Sequence, residues 1–303
     1  MSKLPTSGQP NESNGKVAVV GANSHLGRRV VIALGSCAVP IARSPLPAEY
    51  GVHTSLVSDY RSIPSDLLDG CTAVVNCVGI AAGNPALLQT VNVDLCLAVR
   101  RIAKESGILR FVHISSFAVY GHAERIDGNT NEIPTDAYGI SKLSADCALL
   151  SEHEMDVAIL RFPAIVGKGV PSKLSRLAKM WRKLGVFPIV VSASRSMISV
   201  NAAAMAVSEL AQAPMPVRGK WLVADPTPVS LYALSQLAQS HRLPKLRALV
   251  FPSGMADIAR KLSPRAFRKI FGSSILSSEA NAFFQLGLSD RLEDELVRML
   301  KDE

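Results

Sequence analysis

The run Lys16-Val-Ala-Val-Val-Gly21, followed at once by Ala22-Asn23-Ser24-His25-Leu26-Gly27, constrains this chain more than any other stretch. An unbroken apolar run of this length reads as a strand buried on both faces, the kind found inside a parallel sheet. Glycines at 21 and 27 mark a tight turn into a helix expected from His25 to about Leu34. Such glycines let the backbone approach a pyrophosphate, which the helix N-terminus then binds. The plainer alternative is an ordinary strand-to-helix turn.

The alternation continues. Val39–Ala42, Thr72–Val78, Phe111–Ser115 and Val157–Phe162 are strand-like runs. Between them lie a helix from Pro85 to about Ser106, with Leu87, Leu88, Val91, Leu95, Val99 and Ile102 near helical spacing, and another over Ala137–Leu150. Strands alternating with helices predict an α/β fold, a doubly wound parallel (Rossmann) sheet. The polar start, residues 1–14, is expected to be a disordered tail. Residues 15–165 are the expected dinucleotide-binding domain. After Pro163 prolines and basic helices become frequent, with helices expected over Ser172–Leu184, Leu231–His241, Asp257–Phe271 and Arg291–Leu300. Residues 166–303 therefore read as a smaller, interleaved C-terminal lobe. Segments at about 195–225 return to the first domain, with Lys220–Ala224 rejoining its sheet.

Charge divides the same way. Residues 1–160 hold 12 Lys/Arg against 15 Asp/Glu, whereas 161–303 hold 21 against 10. A basic second half points to an anionic partner: a phosphorylated small molecule, a membrane surface or a nucleic acid. No zinc-finger or helix-turn-helix pattern supports the last. Trp181, Leu174, Leu177 and Leu184 form an apolar stripe opposite Lys173, Arg176, Lys179, Arg182 and Lys183. That stripe suits either contact with an anionic membrane surface or packing over a nucleotide pocket. The five scattered cysteines lack metal-ligand spacing and read as reduced thiols of a cytoplasmic protein. His25, His113 and His122 make no ligand set, so no metal is expected.

Several residues carry chemistry-bearing patterns. The second strand ends in Arg43-Ser44, where an acidic residue would bind a ribose 2′-hydroxyl; a guanidinium and a hydroxyl suit a 2′-phosphate and favour NADP over NAD. The alternative is a solvated loop arginine. Asp59 is placed to reach an adenine edge. Asn76 and Gly79 end the Thr72 strand, where ligands of open sheets bind. Asn92 is polar amid apolar helix positions. Ser115-Ser116 ends the Phe111 strand at the same crevice. Tyr138 and Lys142 lie four apart on one helix face. A tyrosine titrates near ~10, and a nearby ammonium favours its phenolate and makes it a useful base.

Taken together, the glycine turn, Ser115-Ser116-Phe-Ala-Val-Tyr120-Gly121, Tyr138-Gly-Ile-Ser-Lys142 and Arg161-Phe162-Pro163 followed by Val166-Gly167 resemble an extended short-chain dehydrogenase/reductase. The resemblance is to the NAD-dependent epimerase/dehydratase family that acts on nucleotide sugars, over roughly residues 16–300. It implies Tyr138 as acid/base, Lys142 on the nicotinamide ribose, and Ser116 hydrogen-bonded to the reacting oxygen. It also implies Asn92, Phe162 and Pro163 at the cofactor, and Arg195, in Arg195-Ser-Met-Ile-Ser-Val-Asn201, on the substrate diphosphate. Departures from the family pattern are Ser24 for its middle glycine, Ser199 and Asn201 for its His and Asp, and Asp94-Leu95 for its Gly-Thr. The expected activity is a nucleotide-sugar epimerase or 4-keto reductase, with a homodimer as the expected assembly. Rivals are a dehydrogenase of a lipophilic alcohol such as a steroid and a non-catalytic NADP-binding assembly subunit. The basic second half speaks against the first rival, and the intact Ser116/Tyr138/Lys142 set against the second.

Overall fold

The first strand, β1 (Lys16–Val20), has Val17 to Val20 wholly buried, as a strand covered on both faces requires. The computed structural model describes residues 15–171, 173–189, 193–241, 247–250, 261, 272–289 and 292–301. The expected tail lies outside the described residues, as does all of the Asp257–Phe271 helix except Lys261.

After β1 come α1 (His25–Leu34), β2 (Ala38–Ala42), β3 (Ser55–Leu56), β4 (Cys71–Asn76), α2 (Pro85–Gln89), α3 (Leu95–Glu105) and β5 (Arg110–Ser116). There follow β6 (Arg125–Ile126), α4 (Ala137–Leu150), β7 (Asp156–Phe162), β8 (Ala164–Val166), α5 (Lys173–Leu184) and β9 (Val186–Ile189). The described remainder comprises β10 (Ser194–Arg195), β11 (Met197–Ser199), α6 (Val200–Gln212), β12 (Gly219–Leu222), β13 (Val229–Ser230), α7 (Leu231–Ser240), β14 (Arg247–Val250), β15 (Ile275–Leu276) and α8 (Leu292–Lys301).

Seven strands form one parallel sheet in the order β12-β7-β5-β4-β1-β2-β3. Side chains alternate across it. Val17, Val19 and Val75 pack with α1 and the alanine-rich α6 on one face. Ala18, Val20 and Val74 pack with α3 and α4 on the other. This is the doubly wound α/β fold expected from the strand–helix alternation. Register aligns the carboxyl ends: Val20 pairs with Ile41 and Asn76, and Ser116 with Phe162.

The single helix expected from Pro85 to Ser106 is divided. A π-helical turn, Thr90–Asp94, separates α2 from α3 and carries Asn92. Such turns often mark functional sites. Beyond β7 further strands pair in twos: β8 with β11, β9 with β14, and β10 with β13. Here Trp181 is buried with Leu174 and Ala178 against Leu234 of α7 and Leu292 and Leu296 of α8. The apolar stripe of α5 therefore faces protein, with only Leu184 left exposed at its end. Among the described residues no helix is long and apolar enough to cross a membrane.

Candidate active site

Gly21 has φ +81°, a left-handed conformation that suits glycine. A Cβ on Gly27 would lie 2.5 Å from the Gly21 carbonyl oxygen, so α1 meets the turn closer than any side chain permits. Ser24, in place of a middle glycine, caps α1: its Oγ accepts the Gly27 N–H at 3.0 Å. His25 opens the helix, and its ring approaches Gly169. Burial, then the Arg28 charge, lowers the His25 pKa. Leu26 packs partly buried against the core.

The turn is stitched to the end of β2. Asn23 Nδ2 donates to Ser44 Oγ at 2.8 Å and to the Pro45 carbonyl at 3.1 Å. Arg28 Nε in turn donates to Asn23 Oδ1 at 2.8 Å. Arg43 lies over the Tyr60 ring, 5.6 Å from its centroid. Asp59 caps the short helix that follows, accepting the Arg61 N–H, which with the Arg61 side chain lowers its pKa. Arg28, bonded to Asn23, and Arg43 thus both stand by the end of β2.

At the end of β4, Asn76 is buried and its Oδ1 accepts the Val78 N–H at 3.1 Å. Asn92, also buried, accepts the Ile80 N–H at 2.9 Å and donates to the Ile80 carbonyl at 3.0 Å and Ser141 Oγ at 2.9 Å. The π-turn aims this amide inward, where it joins the loop after β4 to the residue before Lys142. Its role visible here is to hold the Ile80 backbone and α4 together.

Along α4, Tyr138 is half-buried and Lys142 buried. Lys142 Nζ donates to the Ile114 carbonyl at 2.9 Å, and lies 3.2 Å from where a Gly79 Cβ would sit. The helix starts at its cap Asp136, whose Oδ1 accepts the Gly139 N–H at 3.0 Å. A Cβ on Gly139 would lie 2.4 Å from the Ala118 carbonyl, so α4 abuts the turn that leaves Ser116. Ser116 Oγ accepts the Ala118 N–H at 3.2 Å and opens that turn. Phe162 is buried and ends β7 beside Ser116, with Pro163 next.

Ser115 points elsewhere. Its Oγ donates to Asp146 Oδ2 at 2.9 Å, one turn beyond Lys142 and wholly buried. Arg161 Nε donates to the same carboxylate at 2.9 Å, and its Nη1 donates to Tyr120 Oη at 2.8 Å and Glu132 Oε1 at 2.6 Å. Glu132 also pairs with Lys220. Burial lowers the Arg161 pKa, but Glu132, Asp146 and Tyr120 outweigh it and move it up, so the guanidinium stays charged. Burial pushes the Asp146 carboxyl up against the pull of Arg161 and Ser115. His113, buried, approaches Cys96 Sγ with Nδ1 at 3.3 Å. Burial, then Lys142, holds it well below its ordinary pKa. Asp146 was legible as the next step of the Tyr138/Lys142 spacing, whereas Glu132 had no local signal.

Arg195 is partly buried at β10, and its Nε donates to the Gly272 carbonyl at 2.7 Å. Burial lowers its pKa. The two departures nearby have structural partners. Ser199 caps α6 by accepting the Ala202 N–H at 2.9 Å. Asn201 Nδ2 donates to Glu295 Oε1 at 3.3 Å, and the buried Glu295 also accepts the Lys168 N–H at 3.2 Å. An aspartate at 201 would face that carboxylate. Among the described residues no His/Cys/Asp/Glu group is arranged to hold a metal.

The model of the NAD dependent epimerase/dehydratase family matches residues 17–218, two thirds of the chain. No curated protein matches it by sequence. Solved structures share the fold at low identity. UDP-N-acetylglucosamine 4-epimerase from Methanobrevibacter ruminantium M1, in complex with UDP-N-acetylmuramic acid, aligns with TM-score 0.74 and 19% identity over 95% of this chain and 97% of that one. UDP-glucuronic acid 4-epimerase from Bacillus cereus, in complex with NAD, aligns with TM-score 0.73 and 17% identity over 94% and 98%. RMD from Pseudomonas aeruginosa, complexed with NADPH, aligns with TM-score 0.70 and 17% identity over 95% and 97%.

Proposed function

The chain belongs to the NAD-dependent epimerase/dehydratase family, and we propose that it is a nicotinamide-dependent oxidoreductase or epimerase of a nucleotide-diphospho-sugar. Its site of reaction is a sugar carbon, C4 in this proposal. The observation that carries the proposal is the approach of α4 to the end of β5. Lys142 is bonded to Ile114, and Gly139 abuts Ala118, on either side of Ser116.

The residues present suit a dinucleotide. The Gly21–Gly27 turn is open backbone before a helix N-terminus, with the space at Gly27 too narrow for a Cβ. Gly21, Asn23, Ser24, His25, Leu26 and Gly27 would hold the pyrophosphate. Arg43 and Ser44 would meet the adenine ribose, with Asp59 at the adenine. Asn76, Gly79 and Asn92 would line or support the crevice, and Phe162 and Pro163 the nicotinamide. Arg43 at the end of β2 favours a 2′-phosphate, hence NADP. When bound, the nicotinamide supplies hydride transfer.

The chain's own part is proton transfer and orientation. Tyr138 Oη takes the proton of the substrate hydroxyl or returns it to the carbonyl oxygen. Lys142, one turn on, favours the phenolate and binds the ribose. Ser116 Oγ donates to the reacting oxygen and holds it toward Tyr138. Arg195 pairs with the diphosphate, and the family neighbours that carry UDP-sugars in their names are consistent with this substrate class. The test is incubation of the pure protein with UDP- and dTDP-sugars plus NAD or NADP, followed by NMR. Altered sugar signals are expected; an unchanged panel rejects the substrate class.

A further inference from the structure

We propose that Asp146 is a positioning residue that fixes the register of α4 on β5, and with it the approach of Tyr138 to Ser116. The inference rests on Tyr138 and Ser116 being the reacting pair. Tyr138 and Lys142 share a helix, so their relation is set locally. Ser116 belongs to a strand, so its relation to Tyr138 depends on how the helix lies along that strand.

Two adjacent residues of β5 grip α4 one turn apart. The Ile114 carbonyl accepts from Lys142, and the Ser115 hydroxyl donates to Asp146. Arg161 pairs with Ser115 in the strand register, so both side chains reach the same carboxylate. Arg161 also ties Glu132, in the segment leading into α4, and Tyr120, in the turn after Ser116. One guanidinium thus secures the helix, its approach and the strand end. A buried ion pair adds little net stability relative to apolar packing, so stability alone does not account for this cluster. A slip of one residue moves a helix about 1.5 Å along its axis. A displacement of that size can cost on the order of 10²-fold in rate.

Ser115→Ala is the mild test, because it removes one hydroxyl and leaves Asp146 paired with Arg161. The expected result is a kcat lowered about 10–100-fold, with substrate KM and cofactor Kd within about twofold of wild type. Ser115→Thr should recover most of the loss. The pH at which kcat falls on its acidic side should stay in place, since Tyr138 and Lys142 move together. Crystal structures should show the Tyr138 Oη–Ser116 Oγ separation changed by about 1 Å, a displacement large enough to matter for rate. Wild-type kcat, a matching loss of cofactor affinity, a shifted pH limb or an unchanged separation would each overturn the proposal. If the wild type turns over no nucleotide sugar, the proposed function fails, while the crystallographic comparison still decides the clamp.

Discussion

Lys142 Nζ donates to the Ile114 carbonyl at 2.9 Å, which holds an ammonium on the strand two residues before Ser116. Tyr138 stands one helical turn before this amine on the same face of α4.

Tyr138→Phe removes the proton-transfer group and leaves the cofactor residues in place. Turnover should fall roughly 10²–10⁴-fold, with cofactor Kd nearly unchanged. A variant retaining more than about a tenth of wild-type kcat excludes Tyr138 as acid/base.

Arg43 lies over Tyr60 at the end of β2, beside the Asn23–Ser44 link. A guanidinium there should favour NADP through its 2′-phosphate. Arg43→Ala should weaken NADP binding about 10-fold, near 1.4 kcal/mol, and leave NAD unchanged. Titration of both cofactors decides it; equal affinities in wild type, unmoved by the substitution, reject the preference.

Arg195→Ala should weaken UDP binding about 10–100-fold, the loss of one charge-assisted partner worth roughly 1.5–3 kcal/mol. Cofactor binding should be little affected. Calorimetry with UDP alone is the measurement. Absence of UDP binding in wild type, or binding that survives the substitution intact, removes the diphosphate role.

Gly27→Ala should weaken cofactor binding and lower Tm, because its Cβ would sit 2.5 Å from the Gly21 carbonyl and force the turn apart. Ser24→Ala loses the cap to Gly27, at about 1 kcal/mol, without forcing the turn apart. Thermal unfolding with and without cofactor separates the two. A Gly27→Ala protein with wild-type Tm and cofactor affinity contradicts the close packing.

His113 is buried and neutral, its pKa lowered by burial and then by Lys142. The unfolded chain takes up a proton below about pH 6.5 that the folded chain refuses. Stability from this group is therefore complete above that pH and is lost as pH falls through it, at up to about 1.4 kcal/mol per pH unit. His25, lowered by burial and then Arg28, acts in the same direction. His113→Gln should flatten urea-unfolding stability between pH 7 and pH 5. An equal slope in variant and wild type means His113 does not bear the dependence.

Local periodicity was enough to locate the glycine turn, every strand of the sheet but the two-residue β3, and α4, because burial and helix spacing repeat over a few residues. Ala137–Leu150 and the Tyr138/Lys142 face needed no tertiary information. The Asp146–Ser115–Arg161 cluster did. Its members lie 31 and 15 residues apart, and only the β5–β7 pairing brings Ser115 and Arg161 onto one face. The π-turn at Asn92 interrupted a helix whose apolar spacing gave no sign of a break, since the side chain turns inward toward Ile80 and Ser141. Trp181 belongs to an amphipathic stripe that fitted a membrane surface or packing over a nucleotide pocket; in the fold its ring packs with residues of α7 and α8, which the local spacing did not indicate. Asn201 shows the same limit, because its partner Glu295 lies 94 residues away. Sequence repeats fix which face a residue occupies, whereas the order of strands and the packing of helices choose what that face meets.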